Sequence, residues 1–124
     1  MSSMAEFGQF HDGFLDGLLT EDDAVQFYLS TQERERFVIE ASGVVALRVD
    51  GFQKGNIIFD VLVRKGEDIT IHDVTSLMGF IDEAKAVAKL EEARKHLVVL
   101  EINPSYGASC IILAESVELL HRSL

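Results

Sequence analysis

The run Val44-Val45-Ala46-Leu47-Arg48-Val49-Asp50, the spacer Gly51-Phe52-Gln53-Lys54-Gly55 and the run Asn56-Ile57-Ile58-Phe59-Asp60-Val61-Leu62-Val63-Arg64 decide the fold class. Val45, Leu47 and Val49 alternate with Arg48 and Asp50, and Ile57, Phe59, Val61 and Val63 alternate with Asn56, Asp60 and Arg64. A period of two is that of a strand with one buried face. The five-residue spacer is short enough to join adjacent antiparallel strands, so the stretch reads as a hairpin. Slipping the register by one residue would bury Arg48, Asp50 and Asp60, which specifies the inward set.

The same period extends towards the N-terminus. Phe14 to Thr20, interrupted by Gly17, forms a first short element before a Glu21-Asp22-Asp23 turn. Ala24 to Ser30 turns Val25, Phe27 and Leu29 to one side, and Arg36 to Ala41 does the same with Phe37, Ile39 and Ala41 before Ser42-Gly43 punctuates it.

Towards the C-terminus the period changes. A short strand at Ile69 to His72 is compatible with the pattern, and from about Ser76 to His96 Leu77, Phe80, Ile81, Ala84, Val87 and Ala88 recur every three or four residues, one face of a long helix. Asp82 and Glu83 suit its first surer turn, and Arg94, Lys95 and His96 its last. Gly79 weakens the start. A second apolar line, Ala86, Leu90 and Ala93, lies on the other side and calls for a cover such as a second subunit. Asp73, Thr75 or Ser76 is the expected N-cap.

Leu97 to Asn103 and Ser109 to Leu120, joined by a Pro104 to Ala108 turn, are apolar on both faces and read as central strands, with a bulge or bend at Glu115-Ser116. The expected class is therefore α+β: a mainly antiparallel sheet of about seven strands, open to a sandwich or half-barrel arrangement, with one long helix before the final hairpin. Strands and helices do not alternate as a parallel doubly wound sheet requires. The 124 residues hold no repeat and no Pro/Gly/Ser-rich linker, so one domain over 1–124 is expected, with 1–13 irregular.

Composition limits function. The net charge is -10, from 11 Lys+Arg and 21 Asp+Glu, which argues against binding nucleic acid through phosphate neutralisation. Residues 1–33 hold seven of those acids, Glu6, Asp12, Asp16, Glu21, Asp22, Asp23 and Glu33, and no Lys or Arg. Such an asymmetry is either a solvated face or an acidic surface that meets a basic partner. No stretch approaches the ~18 apolar residues of a membrane helix, and Met1 to Phe10 carries no basic, apolar leader. A cytoplasmic setting is expected, without nucleic acid or membrane as partner. The single Cys110 lies in an apolar run and reads as a small buried hydrophobe.

No catalytic or nucleotide-binding spacing occurs, neither a nucleophile elbow, a phosphate loop, a His-Glu-x-x-His helix nor a paired-cysteine motif. The densest constellation is His11-Asp12-Gly13-Phe14-Leu15-Asp16-Gly17, an imidazole and two carboxylates between glycines; it reads as a turn, a partner surface, or a cation or catalytic site. Arg48, Asn56 and Asp60 share the polar face of the expected hairpin, as a wet sheet face or the lining of a ligand groove. Phe52 and Tyr106 are aromatics in turns, a commoner sign of an interface than of chemistry.

The expectation is a small non-enzymatic binding or interaction module that self-associates and offers an acidic first quarter to a basic partner in the manner of an inhibitor or immunity protein. Its expected binding residues are His11, Asp12, Asp16, Glu21, Asp22, Asp23, Phe52 and Tyr106, with no cofactor and no metal. The alternative is a small-molecule or metal-binding protein or an enzyme, with its site near His11, Asp12 and Asp16 or near Arg48, Asn56 and Asp60.

Overall fold

The computed structural model describes residues 7–79 and 82–122. Six antiparallel strands, β1 (Phe14–Glu21), β2 (Ala24–Ser30), β3 (Arg36–Asp50), β4 (Asn56–Lys65), β5 (Val98–Tyr106) and β6 (Ser109–His121), close into a barrel in the order β1-β2-β3-β6-β5-β4. Helices α1 (Ile71–Met78) and α2 (Glu83–His96) lie between β4 and β5 in sequence. The α+β class and antiparallel sheet match expectation; the sandwich and half-barrel alternatives give way to closure.

The 44–64 stretch is strand, but it is not a hairpin. β3 pairs with β2 and β6, and β4 pairs with β5 and β1, so the final apolar hairpin is inserted between them. Two-sided burial is the reason. Leu100, Ile102, Cys110, Ile112 and Ala114 face the barrel interior, while Val99 and Leu113 pack outside it with Ile69, Ala93 and Leu97 in a second core beneath the helices. The helices cover the outer face of this pair while the barrel interior covers the other, which is why both faces are apolar.

The 51–55 spacer therefore passes the tip of the β5–β6 hairpin, and buried Asn56 stitches it there. Asn56 Oδ1 accepts from the amides of Gln53 and Ala108, both at 2.9 Å, while its Nδ2 donates to the carbonyls of Gln53 and Leu15. Gly107, with φ of 92°, leaves the room that the Asn56 side chain occupies. β5 runs to Tyr106, beyond the turn expected from Pro104. Pro104, which has no amide to give to a ladder, stands opposite the irregular pairing of Ile58 in β4.

Bulges decide which alternate residues face inward. Around Ile58 the β4 register shifts, so Ile58, Val61 and Val63 face the core and Phe59 stands 52% exposed. A shift between Val44 and Ala46 likewise leaves Val45 exposed. The two short strands expected at 36–41 and 44–50 are one strand, bent at Gly43 (φ 63°), whose missing side chain leaves space for Glu115. β6 is one strand, but its inward set changes from Cys110, Ile112 and Ala114 to Val117 and Leu119 across Glu115-Ser116, where the irregularity is expected, and the register shift itself falls on β3.

The helical region also departs from expectation. Ile69 to His72 is not a strand: Thr70 caps α1, accepting from Asp73 N while its own amide donates to Asp73 Oδ2 at 2.7 Å. This capping box puts the N-cap three residues before the first predicted one. Gly79 (φ 77°) ends α1, and Asp82 caps α2 through Lys85 N at 2.8 Å. The faces of α2 are reversed: Ala86 and Ala93 are buried and Leu90 packs with the second core, whereas Val87 is 45% exposed. The barrel itself covers the second apolar line, which removes the motive for a subunit there. Phe80 and Ile81 lie outside the described residues, as do residues 1–6; Phe7 and Phe10 are in the core.

Arg64 fastens α1 to the barrel. Its Nη1 and Nη2 donate to Asp73 Oδ2 and Oδ1 at 2.6 and 2.7 Å, its Nε donates to Glu101 Oε2 at 2.7 Å, and Nη1 also reaches the carbonyl of Asp68. Burial works against the Asp73 charge, but the Arg64 hydrogen bonds and the Thr70 amide outweigh it and hold the carboxyl below its ordinary range. The Arg64 guanidinium is correspondingly raised, chiefly by its hydrogen bond to Asp73.

Candidate functional site

Where β1 begins, β2 ends and β3 begins, the surface is concave. The β2–β3 connection is a tight turn: Thr31 N donates to the Glu35 carbonyl, Arg34 N to the Thr31 carbonyl, and Glu35 N to Thr31 Oγ1 at 3.1 Å. Arg34 adopts a φ of 70° within it. This constraint aims Arg34 and Arg36 from a fixed frame. Arg122, at the end of β6, joins them because its amide donates to the Arg36 carbonyl at 2.9 Å.

Together Asp16, Ser30, Arg34, Arg36 and Arg122 line a concavity of about 510 Å³. Asp16 is there because of a bulge: Leu15 pairs with Leu29 and Gly17 with Tyr28, leaving Asp16 the extra residue. Bulges re-aim side chains in this way beside functional sites.

The electrostatics of the trough are one-sided. None of Arg34, Arg36 and Arg122 forms an ion pair with a carboxylate among the described residues. The acid between the two turn arginines, Glu35, is engaged elsewhere, by His121 Nε2 at 2.9 Å. Aromatic faces hold two of the guanidiniums: Arg34 lies 4.0 Å from the Phe14 ring centroid and Arg122 5.0 Å from that of Tyr28. Cation–π seating fixes a guanidinium without neutralising it and leaves its N–H edge able to donate.

Two buried polar atoms at this place have no hydrogen-bond partner among the described residues. Ser30 is 2% exposed and its Oγ makes no hydrogen bond, and Arg122 Nε is likewise buried and unmatched. Leaving such a group unpaired costs about 1–3 kcal/mol. Both atoms have almost no surface open to a ligand and belong to the closed floor of the concavity, while the exposed Arg34 and Arg36 supply guanidinium donors, a chemistry that selects an anion rather than a cation.

A second concavity of about 420 Å³ borders the first, sharing Asp16 and Arg34 and adding Phe14, Leu15, Phe52, Gln53, Lys54, Gly55 and Asn56. Four of the chain's 11 Lys+Arg thus line one trough on a protein of net charge -10.

The sequence-predicted residues are distributed rather than assembled. Asp16 and Phe52 line this trough; Glu21, Asp22 and Asp23 form the exposed tip of the β1–β2 hairpin. At ~3.4 Å per residue the tip lies on the order of 20 Å along β1 from Asp16. His11 lines a different, smaller groove with Phe7 and Phe59, its Nδ1 within 2.7 Å of the Phe59 carbonyl and its Nε2 3.7 Å from Asp12. His11, Asp12 and Asp16 therefore do not make one site, and among the described residues no three His, Cys, Asp or Glu side chains converge as metal ligands.

Tyr106 is exposed at the end of β5. Arg48, Asn56 and Asp60 are not neighbours: Arg48 bonds Asp50 at 2.7 Å, Asn56 is the buried stitch, and Asp60 accepts from Asn103 Nδ2 at 2.8 Å. Among the described residues no helix is long and apolar enough to cross a membrane.

Sequence reading singles out none of Ser30, Arg34 and Arg122. The one signal is Arg34-Glu35-Arg36, the first bases after 33 base-free residues. The meeting of that turn with the end of β6 follows from barrel topology. No protein-family model matches this chain, and neither a curated protein nor a solved structure is significantly similar to it.

Proposed function

We propose that this chain is a small non-enzymatic binding module whose trough at Ser30, Arg34, Arg36 and Arg122 takes an anionic ligand. One observation carries the reading: three guanidiniums face one concavity with no described carboxylate partner, beside an unmatched serine hydroxyl. Three cations gathered against the one carboxylate of Asp16 are unfavourable for the fold alone, so a ligand that supplies the remaining counter-charge gives the arrangement a purpose. The lining residues include no imidazole and no thiol, which favours binding over proton transfer or nucleophilic chemistry.

Thermal unfolding tests this at constant ionic strength, with sulfate exchanged for chloride. A ligand that binds only the folded state raises the midpoint by mass action. The expected result is a sulfate-dependent rise in the wild-type chain that Arg36→Gln abolishes and Arg48→Gln leaves intact. Equal midpoints in both salts would remove the reading. The rival interface with a basic protein rests on the hairpin tip, Glu21 to Asp23, and predicts salt-sensitive capture of basic proteins that Asp22→Asn and Asp23→Asn weaken.

A further inference from the structure

Resting on the anion reading above, we infer that the trough is a two-lobed site for a small organic phosphate monoester, with its phosphoryl group at Arg34, Arg36 and Arg122 and its ring against Phe52. The charge balance points to a dianion. Three guanidiniums against the single carboxylate of Asp16 leave a formal excess of two positive charges in the first lobe. A carboxylate ligand matches half of that excess, whereas a phosphate monoester carries close to two negative charges at neutral pH and several acceptor oxygens suited to guanidinium forks.

The second lobe points to an organic substituent. It borders the first, sharing Asp16 and Arg34 with it, and its walls include Phe14, Leu15 and Phe52. Phe52 is about half exposed at the rim, a position from which a ring can stack on it. Gln53 and Lys54 beside it offer polar contacts for substituents on that ring. Arg34, held on Phe14 at 4.0 Å, stands at the junction of the lobes. Asn56 anchors the spacer at Gln53, through both its amide and its carbonyl, which keeps the neighbouring Phe52 at the rim. A long phosphate polymer fits less well, because the rest of this acidic chain repels it.

Isothermal titration calorimetry on the full chain at constant ionic strength, with phenyl phosphate, inorganic phosphate and benzoate as probes, separates the possibilities. Phenyl phosphate is expected to bind about five- to tenfold more tightly than either other probe. Phe52→Ala, a change in an exposed loop, should erase the advantage over inorganic phosphate without altering inorganic phosphate binding or the unfolding midpoint.

If phenyl phosphate binds no more tightly than inorganic phosphate, or if Phe52→Ala leaves its advantage intact, the second lobe is not part of the site, while phosphate binding that Arg36→Gln weakens still sustains the anion reading. Benzoate binding as tightly as phenyl phosphate contradicts the dianion assignment. If none of the three probes binds, both the inference and the anion reading fall.

Discussion

The amide of Arg122 donates to the carbonyl of Arg36 at 2.9 Å, and this bond brings two guanidiniums from distant parts of the chain to the rim of one concavity. Neither forms an ion pair with a described carboxylate. Arrangements that serve ligands at some expense to the fold behave in a recognisable way when they are dismantled.

Arg36→Gln should therefore raise the thermal midpoint, by about 1–2 °C at low ionic strength. The gain should shrink in about 0.5 M salt as the mutual repulsion is screened. A fall in the midpoint would mean that Arg36 is a structural residue and not a ligand group.

The Arg64–Asp73 clamp predicts the opposite behaviour. Asp73→Asn loses the paired acceptor for Arg64 and part of the α1 capping box, and should cost about 2–4 kcal/mol in urea unfolding at pH 7. The sign with pH follows from the depressed carboxyl of folded Asp73. Its contribution is complete above the unfolded carboxyl value of ~3.9 and is lost as pH falls through the lower folded value. The gap between wild type and Asp73→Asn should narrow as pH is taken from 5 towards 2, and a constant gap would contradict the clamp.

Asn56 and Gly107 form the second structural test. Asn56→Ala strands the amides of Gln53 and Ala108, at about 1–3 kcal/mol for each donor left unmatched. Gly107→Ala drives a methyl into the Asn56 side chain and asks alanine to adopt a φ of 92°. Both variants should unfold at lower urea concentration than wild type, and the double variant should lose less than the sum of the two because the sites touch.

Cys110 faces the barrel interior at 2% exposure, and burial, with a smaller effect from Asp50, pushes its thiol up to about 12. A thiol reagent at pH 8 should label it only as fast as the barrel opens, with the rate rising steeply across the urea transition. Rapid labelling of the folded chain would place this residue elsewhere.

Much of the fold was legible in the residues. Val25, Phe27, Leu29, Phe37 and Ile39 alternate in sequence and are all buried in the barrel, and the two-sided apolar character of Val98 to Ala114 marks central strands. What misled was local geometry that carries little pattern. The bulges in β3 and β4 turned Val45 and Phe59 outward, and an unbroken alternation gives no sign of them. Length favoured pairing β3 with β4 across a five-residue spacer, whereas burying both faces of β5 and β6 between them removes more apolar surface from water.

The site was less legible. Asp16 and Phe52 were foreseeable as a carboxylate near glycines and an aromatic in a turn. Arg34, Arg36 and Arg122 acquire meaning only once the barrel brings the β2–β3 turn beside the end of β6. Counting acids along the chain directs attention to Glu21, Asp22 and Asp23, yet the structural rarity in an acidic protein is where its few bases gather.

Anion binding in the trough is read most directly from the side-chain Nε–Hε spectrum of the six arginines, recorded as inorganic phosphate replaces chloride at constant ionic strength. Saturable shifts are expected for Arg34, Arg36 and Arg122, with Arg48, Arg64 and Arg94 unmoved. Shifts that are absent, or spread evenly over all six, would contradict it.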